Sequence, residues 1–235
     1  MSPLSAGIIL KENGIDPIIN LTCRNRNRIS LTSELLGCAS LDMNNLLLTR
    51  GEKIPNEVKR KAAALTEMNA TELISLANKI KTDEKLPTNN NFLIGGVVTP
   101  FTAKPGWPAT NLLEKIDAGA QFMITHTCLD MDIIKIYMER LVATKLLRRM
   151  HLIVGIAILK SADDAKWLRE HRPNVMIPQQ AVLRLESSDN PEKEGIKMCA
   201  EQLKALSVIP GISGAHIIAS NSVLNIPEAV TRSEL

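Results

Sequence analysis

Short apolar runs recur along the chain at residues 17–21, 46–49, 92–98, 122–125, 152–157 and 215–219. Most are continuously apolar rather than alternating, the pattern of strands in a parallel sheet whose two faces are both covered by helices. Between them the period changes to that of amphipathic helices. Residues 30–41 place Leu31, Leu35 and Ala39 on one face, behind a Ser30 that can cap. Asn69 and Glu72 have capping-box spacing ahead of Leu73, Leu76, Ala77 and Ile80. Residues 108–118 bring Leu112, Leu113 and Ile116 together, and Asp130 can cap a stretch holding Ile134, Tyr137, Met138, Leu141 and Leu146. Ser161 and Asp164 repeat the capping-box spacing before Trp167 and Leu168. Pro191 takes a first-turn position ahead of Ile196, Cys199, Leu203 and Leu206.

The chain thus alternates strand and helix six times, in units near the ~30 residues of a βαβ module. Repeated right-handed crossovers build either an open doubly wound sheet or a (β/α) barrel. A dinucleotide-binding sheet would carry G-x-G-x-x-G after its first strand, and this sequence has none. The pattern therefore predicts a (β/α)8 TIM-barrel type of fold, α/β in class, with about six of its eight strands visible. Residues 1–235 are expected to form a single incomplete barrel domain. An open barrel exposes two sheet edges, which predicts a homo-oligomer or a partner chain completing the ring.

Composition narrows the class without choosing a function. With 45% hydrophobic and 23% charged residues, the chain has the make-up of a globular protein rather than a disordered, collagen-like or disulfide-stapled one. A net charge of +3 and an aromatic content of 3% argue against nucleic acid as a partner, since both phosphate neutralisation and base stacking are poorly provided for. No apolar run reaches 18 residues, and the first residues lack the basic and apolar regions of a secretory signal. Neither a membrane span nor a leader is expected. Cys23, Cys38, Cys128 and Cys199 lie far apart with no C-x-x-C pair, and read as reduced thiols of a cytoplasmic protein. His126, His151, His171 and His216 are as scattered, and nothing local supports a metal site.

In a parallel barrel, functional groups collect where strands end and helices begin. Those positions are polar here. The first strand leads into Thr22-Cys23-Arg24-Asn25-Arg26-Asn27-Arg28, and the second into Thr49-Arg50-Gly51-Glu52. The fourth ends in Thr125-His126, the fifth leads to Lys160-Ser161, and the sixth ends in Ser220-Asn221. Arg24, Arg26 and Arg28 could gather phosphates or carboxylates through their guanidinium forks, or form a solvated loop tied to the next helix. Glu52 follows a glycine that permits close backbone approach, which suits a carboxylate aimed at a ligand as well as an ordinary surface residue. His126 can donate or accept near neutral pH, or serve structure alone. His216, inside the last strand, reads as packed and hydrogen-bonded, and Asp117 beside the C-capping Gly119 reads as structural.

Taken in order, these pieces resemble the methylenetetrahydrofolate reductase family. The likeness is carried by Asn20 to Arg28, by Leu48-Thr49-Arg50-Gly51-Glu52, and by Lys115-Ile116-Asp117-Ala118-Gly119-Ala120 followed by Ile124-Thr125-His126. It continues through Gly155 to Ser161 and Gly214-Ala215-His216, and so spans essentially the whole chain. The resemblance implies a barrel that binds FAD, takes hydride from NADH or NADPH as co-substrate, and reduces 5,10-methylenetetrahydrofolate to 5-methyltetrahydrofolate in one-carbon and methionine metabolism. The cofactor carries the hydride chemistry and the protein orients it.

By the same resemblance, Asn20, Thr49, Arg50, Gly51, Ala70, Asn111 and Lys115 fall at flavin-lining positions. Gly51, Ala70, Asn111 and Lys115 keep a family residue type. Glu52 stands where the family has Asp near the flavin and pterin, and is the expected catalytic carboxylate, one methylene longer. His126 replaces a Gln beside folate and is the expected substrate contact. Ile218 and Pro108 replace a flavin-contacting Tyr and Asp. Family members begin with a strand bearing a Glu taken as their proton donor, in a Glu-Phe-Phe-Pro-Pro type sequence, followed by a second βα unit. The resemblance places Ser2-Pro3-Leu4 after both, which matches the deficit of two strands. Two other functions fit these residues: a truncated homologue binding folate or flavin as an accessory subunit, and a flavin-independent folate methyltransferase.

Overall fold

The computed structural model describes residues 1–52, 67–86, 91–219 and 223–235. Its elements run α1 (Pro3–Glu12), β1 (Ile18–Thr22), α2 (Arg28–Ser40), β2 (Asn45–Thr49), α3 (Ala70–Thr82), β3 (Leu93–Val98), α4 (Thr110–Asp117) and β4 (Phe122–Thr125). They continue with α5 (Met131–Ala143), a 3-10 turn at Leu146–Arg148, β5 (His151–Ile158), α6 (Ala162–His171), α7 (Gln179–Glu186), α8 (Pro191–Ser207), β6 (Ile212–Ala219) and α9 (Asn225–Ser233). The six strands lie in one sheet in the order β1-β2-β3-β4-β5-β6. That order never reverses, which separates it from doubly wound sheets with a switch point. All six predicted strands are present. Ser220 and Asn221, expected at the last strand's end, lie outside the described residues.

The helix starts show which sequence signals act. Asn69 and Glu72 form the complete capping box: Asn69 Oδ1 accepts from Glu72 N at 3.0 Å, and Glu72 Oε2 accepts from Asn69 N at 2.7 Å. Asp130 Oδ1 accepts from the backbone of Asp132 and Ile133, and Asn190 caps α8 with Pro191 in the first turn. Ser161 Oγ accepts from Asp164 N at 3.1 Å, but the Asp164 carboxylate accepts from Lys160 N rather than from Ser161, so this box is incomplete. Helix α2 is capped by Asn27, not Ser30, because the Asn27 side chain accepts from Ser30 N at 2.8 Å. Helices α1, α7 and α9 add to those predicted.

The chain divides into two compact units, residues 1–97 with 110–123 and residues 98–109 with 124–235. In the first, β1 pairs with β2 and β2 with β3, all parallel. Ile19 and Leu21 of β1 and Leu46 and Leu48 of β2 are buried, as are Leu31, Leu35, Leu73 and Ile74 of the helices. The intervening residues are not: Ile18 is 49% exposed, and Asn20 is exposed. Burial along β1 and β2 therefore alternates, and the expectation of two covered faces fails here. Lys81 of α3 ties this unit together by donating to the Phe92 carbonyl at 2.8 Å and to Gln121 Oε1 at 3.1 Å. Gln121 Oε1 also accepts from Ile94 N. Lys81→Met leaves these acceptors short of a donor and is expected to cost about 1.5–3 kcal/mol, read from the urea midpoint; an unchanged midpoint would contradict it.

In the second unit β5 pairs parallel with β6. Its core includes Leu152, Val154 and Ile156 of β5, Ile134, Tyr137, Met138 and Leu141 of α5, and Cys199, Leu203 and Leu206 of α8. Phe101, Trp107 and Tyr137 pack edge-on or tilted against one another, with ring centroids 5.1–5.8 Å apart, and hold the segment after β3 to α5. Arg184 of α7 makes a two-pronged contact with Glu201 of α8 at 2.6 and 2.9 Å. No helix among the described residues is long and apolar enough to cross a membrane. All four cysteines are free and buried, and burial pushes the thiols of Cys38, Cys128 and Cys199 up to about 11.

Candidate functional site

The first unit gathers its polar residues at the carboxyl ends of β1 and β2. The ladder between these strands runs past their last residues, with Cys23 N donating to Thr49 O at 3.1 Å and Arg24 N to Arg50 O at 3.0 Å. Exposed Asn20 and half-buried Thr49 meet on the more open sheet face, Thr49 Oγ1 donating to Asn20 Oδ1 at 3.5 Å. Gly51 then turns the chain with φ +83°, a conformation that favours glycine. A Cβ there would also stand 2.9 Å from Thr22 Cβ and 3.4 Å from Arg24 Cβ. Gly51 thus lets the β2 exit lie against the β1 exit, and it leaves Arg50 and Glu52 exposed on either side.

Lys115 reaches the next strand end. Its Nζ donates to the Val97 carbonyl at 2.7 Å, two residues beyond Gly95, just as Thr49 stands two beyond Leu47, the partner of Gly95. Burial pushes the pKa of this ammonium down. Ala70 is the first residue of α3, and Asn111 is exposed in the first turn of α4. The structure therefore joins Asn20 and Thr49 directly, sets Gly51 against Thr22 and Arg24 at the same strand exits with exposed Arg50 and Glu52 on either side of it, and sets Lys115 at the adjoining strand end. Ala70 and Asn111 stand at helix starts.

The arginine run does not converge. Arg26 pairs with Glu34 of α2, the solvated-loop arrangement. Arg28 belongs to α2, and its backbone N donates to Glu67 Oε2 at 2.9 Å. Its side chain borders two clefts of about 310 and 440 Å³ lined by α2, α3 and the turn before α3, not by the strand ends.

In the second unit, His126 follows β4, half-buried, its N donating to Val98 O at 2.8 Å. Its backbone is fixed from below. Thr125 Oγ1, buried, accepts from Gly155 N at 2.9 Å, and Cys128 N donates to Gly155 O at 2.9 Å. A Cβ on Gly155 would stand 2.5 Å from Thr125 O, so only glycine lets the end of β4 cross so closely over β5. Ser161 serves as a helix cap. His216 is not the packed residue expected from the sequence. It is exposed, on the same strand face as Gly214 and Ile218. No signal in the sequence marked that face as open. Among the described residues, no group of three His, Cys, Asp or Glu side chains is placed to hold a metal.

The family model for methylenetetrahydrofolate reductase matches residues 1–234 of the chain. No curated protein sequence matches it. Among solved structures, an uncharacterised Clostridium thermocellum protein that binds two copies of 5-methyl-5,6,7,8-tetrahydrofolic acid superposes with a TM-score of 0.62 at 15% identity, covering 98% of this chain and 75% of that one. At that identity the likeness shows the fold alone. The carboxyl transferase domain of Rhizobium etli pyruvate carboxylase aligns over 99% of this chain and 40% of its own, at 15% identity and a TM-score of 0.39.

Proposed function

The chain belongs to the methylenetetrahydrofolate reductase family, and from that premise we propose that it is an FAD-dependent reductase of 5,10-methylenetetrahydrofolate using NADH or NADPH. The observation that carries this reading is the continuous family match combined with the Asn20–Thr49 pair and the Gly51 turn at the β1 and β2 exits. The folate part draws further support from the two folates bound by the Clostridium thermocellum protein. Within this reading, residues 1–235 form a single incomplete barrel domain of the (β/α)8 type, which the unreversed strand order supports.

The residues present fit a flavin. A planar, uncharged ring system asks for amide and hydroxyl partners on an open surface, and Asn20 and Thr49 supply them. A dinucleotide diphosphate asks for a cation and a close backbone, and exposed Arg50 beside left-handed Gly51 supplies both. Lys115 adds an ammonium held on the Val97 carbonyl, while Ala70 and Asn111 would border the cofactor. Bound FAD would supply the two-electron chemistry, taking hydride from NADH or NADPH and passing it to the folate methylene carbon. Glu52 places an ionisable carboxylate next to this group, where it would govern the proton needed to open the folate's five-membered ring. His126, its backbone locked over Gly155, would hydrogen-bond the pterin.

The test is spectroscopic. Protein incubated with FAD and desalted is expected to stay yellow, to bleach anaerobically with NADH or NADPH, and to regain colour on adding 5,10-methylenetetrahydrofolate. A colourless protein that nevertheless binds a folate would refute the reductase and favour a flavin-free folate protein.

A further inference from the structure

One arginine of the run after β1 is left unused by the reading above. Arg26 pairs with Glu34 and Arg28 opens α2, but Arg24 stays at the strand exit. It is half-buried, and among the described residues its guanidinium has neither an ion pair nor a side-chain hydrogen bond. A guanidinium carries five donors and a permanent charge, so partial burial without a partner is a cost that a bound anion would offset. The backbone fixes where Arg24 stands. Its N donates to Arg50 O at 3.0 Å, and its Cβ is 3.4 Å from the position that a Cβ on Gly51 would take. Gly51 thus has Arg50 as its neighbour along the chain and Arg24 as its neighbour across the ladder. Both guanidinium groups act on the same thiol: burial raises the pKa of Cys23, and Arg50 and Arg24 each draw it down. The carboxylate that this thiol feels, Glu72, is already engaged by the backbone of Asn69.

We propose that Arg24 and Arg50 together seat a diphosphate group across the Gly51 turn. This rests on the flavin reading above and extends it to a residue on the neighbouring strand. Charge is the reason a second arginine matters. Arg50 and Glu52 flank Gly51 with opposite signs, so that stretch alone carries no net charge to offer an anion. Arg24 turns the balance at the exit positive. Two guanidinium forks can then each engage one phosphoryl group, as a point charge such as lysine would not. The absence of a side chain at Gly51 keeps the two exits together, so the arginines spring from adjacent strands about 5 Å apart. FAD and the nicotinamide co-substrate both carry a diphosphate, and the experiment separates them.

FAD, riboflavin, NADH and inorganic pyrophosphate are titrated by calorimetry into the wild-type chain, Arg24→Gln and Arg24→Lys, at low and at physiological salt. The melting temperature of each ligand-free protein is measured in parallel. Arg24→Gln is expected to bind pyrophosphate and the dinucleotide that occupies the seat about tenfold more weakly, with a flatter dependence on salt. Riboflavin, which has no phosphate, should bind as before. A loss confined to FAD assigns the seat to the flavin, and a loss confined to NADH assigns it to the co-substrate. Lysine keeps the charge without the fork and should fall between the two. If Arg24→Gln binds pyrophosphate and both dinucleotides as tightly as wild type, the proposal falls and the flavin reading stands. If riboflavin affinity drops as well, or the ligand-free glutamine variant melts well below wild type, Arg24 serves structure and the proposal falls. If the wild-type chain takes up neither dinucleotide but holds pyrophosphate through Arg24, the flavin reading falls and the diphosphate seat stands. If it binds none of the four, both fall.

Discussion

Gly195→Ala is expected to destabilise the protein by about 3 kcal/mol, the upper range for overpacking, and to lower Tm by about 6–12 °C. Gly195 lies buried in the first turns of α8, where an alanine would ordinarily strengthen the helix by about 1 kcal/mol. Here that gain is outweighed. A Cβ at this position would stand 2.8 Å from the carbonyl carbon of Leu159 and inside the van der Waals shell of its oxygen. Both obstructing atoms are backbone at the exit of β5, so no side-chain rotation relieves the clash. Either α8 withdraws from β5, opening a core that includes Cys199, Leu203 and Leu206, or the end of β5 shifts. Gly214→Ala is the control: its Cβ meets nothing within 4 Å, so a change within about 0.5 kcal/mol is expected. A Gly195→Ala protein melting at or above the wild-type temperature would show that α8 is not held this closely.

Gly195 also shows where reading from sequence stops. The apolar face of α8 was legible because Ile196, Cys199, Leu203 and Leu206 recur at the helical period. A glycine needed for close approach looks the same in sequence as one that is merely tolerated. The six strands were legible for a related reason: each is a short apolar run bounded by polar residues. Their environments were not. Leu46 and Leu47 are equally apolar, but only Leu46 is fully buried, because one face of β2 is fully covered and the other only in part. The same gap explains His216, whose exposure depends on which face of β6 is covered. Caps were read well where acceptor and donor are three residues apart and no rival stands nearby, as at Asn69 and Asp130. Ser30 failed because Asn27, three residues earlier, competes for the same backbone and captures Ser30's own N–H.

At the candidate site, sequence supplied residue identities and structure supplied their grouping. Nothing in the arginine run distinguishes Arg24 from Arg26. Glu34, in the second turn of α2, pairs with Arg26, while Arg24 stays in the β1–β2 ladder beside Gly51. Asn20 and Thr49 are unremarkable polar residues twenty-nine positions apart until the parallel register brings them together on the more open face.

That grouping gives Glu52→Gln the largest expected functional effect. Glutamine keeps the length and shape of the side chain but removes its charge and its ability to carry a proton. If Glu52 governs protonation of the folate, reoxidation by 5,10-methylenetetrahydrofolate should slow by about 100-fold or more in stopped-flow measurements, at the lower end of what general acid–base groups contribute. Reduction by NADH or NADPH needs no such proton and should change little. The split between the half-reactions is the informative quantity, because it separates chemistry from cofactor retention. The exposed carboxylate follows Gly51, whose left-handed turn sets the direction in which the chain leaves β2. Loss of FAD affects both half-reactions alike, as would a disturbed turn. Equal slowing of the two would therefore move Glu52 from the proton's path to the support of the β2 exit, and would leave the acid to be sought elsewhere.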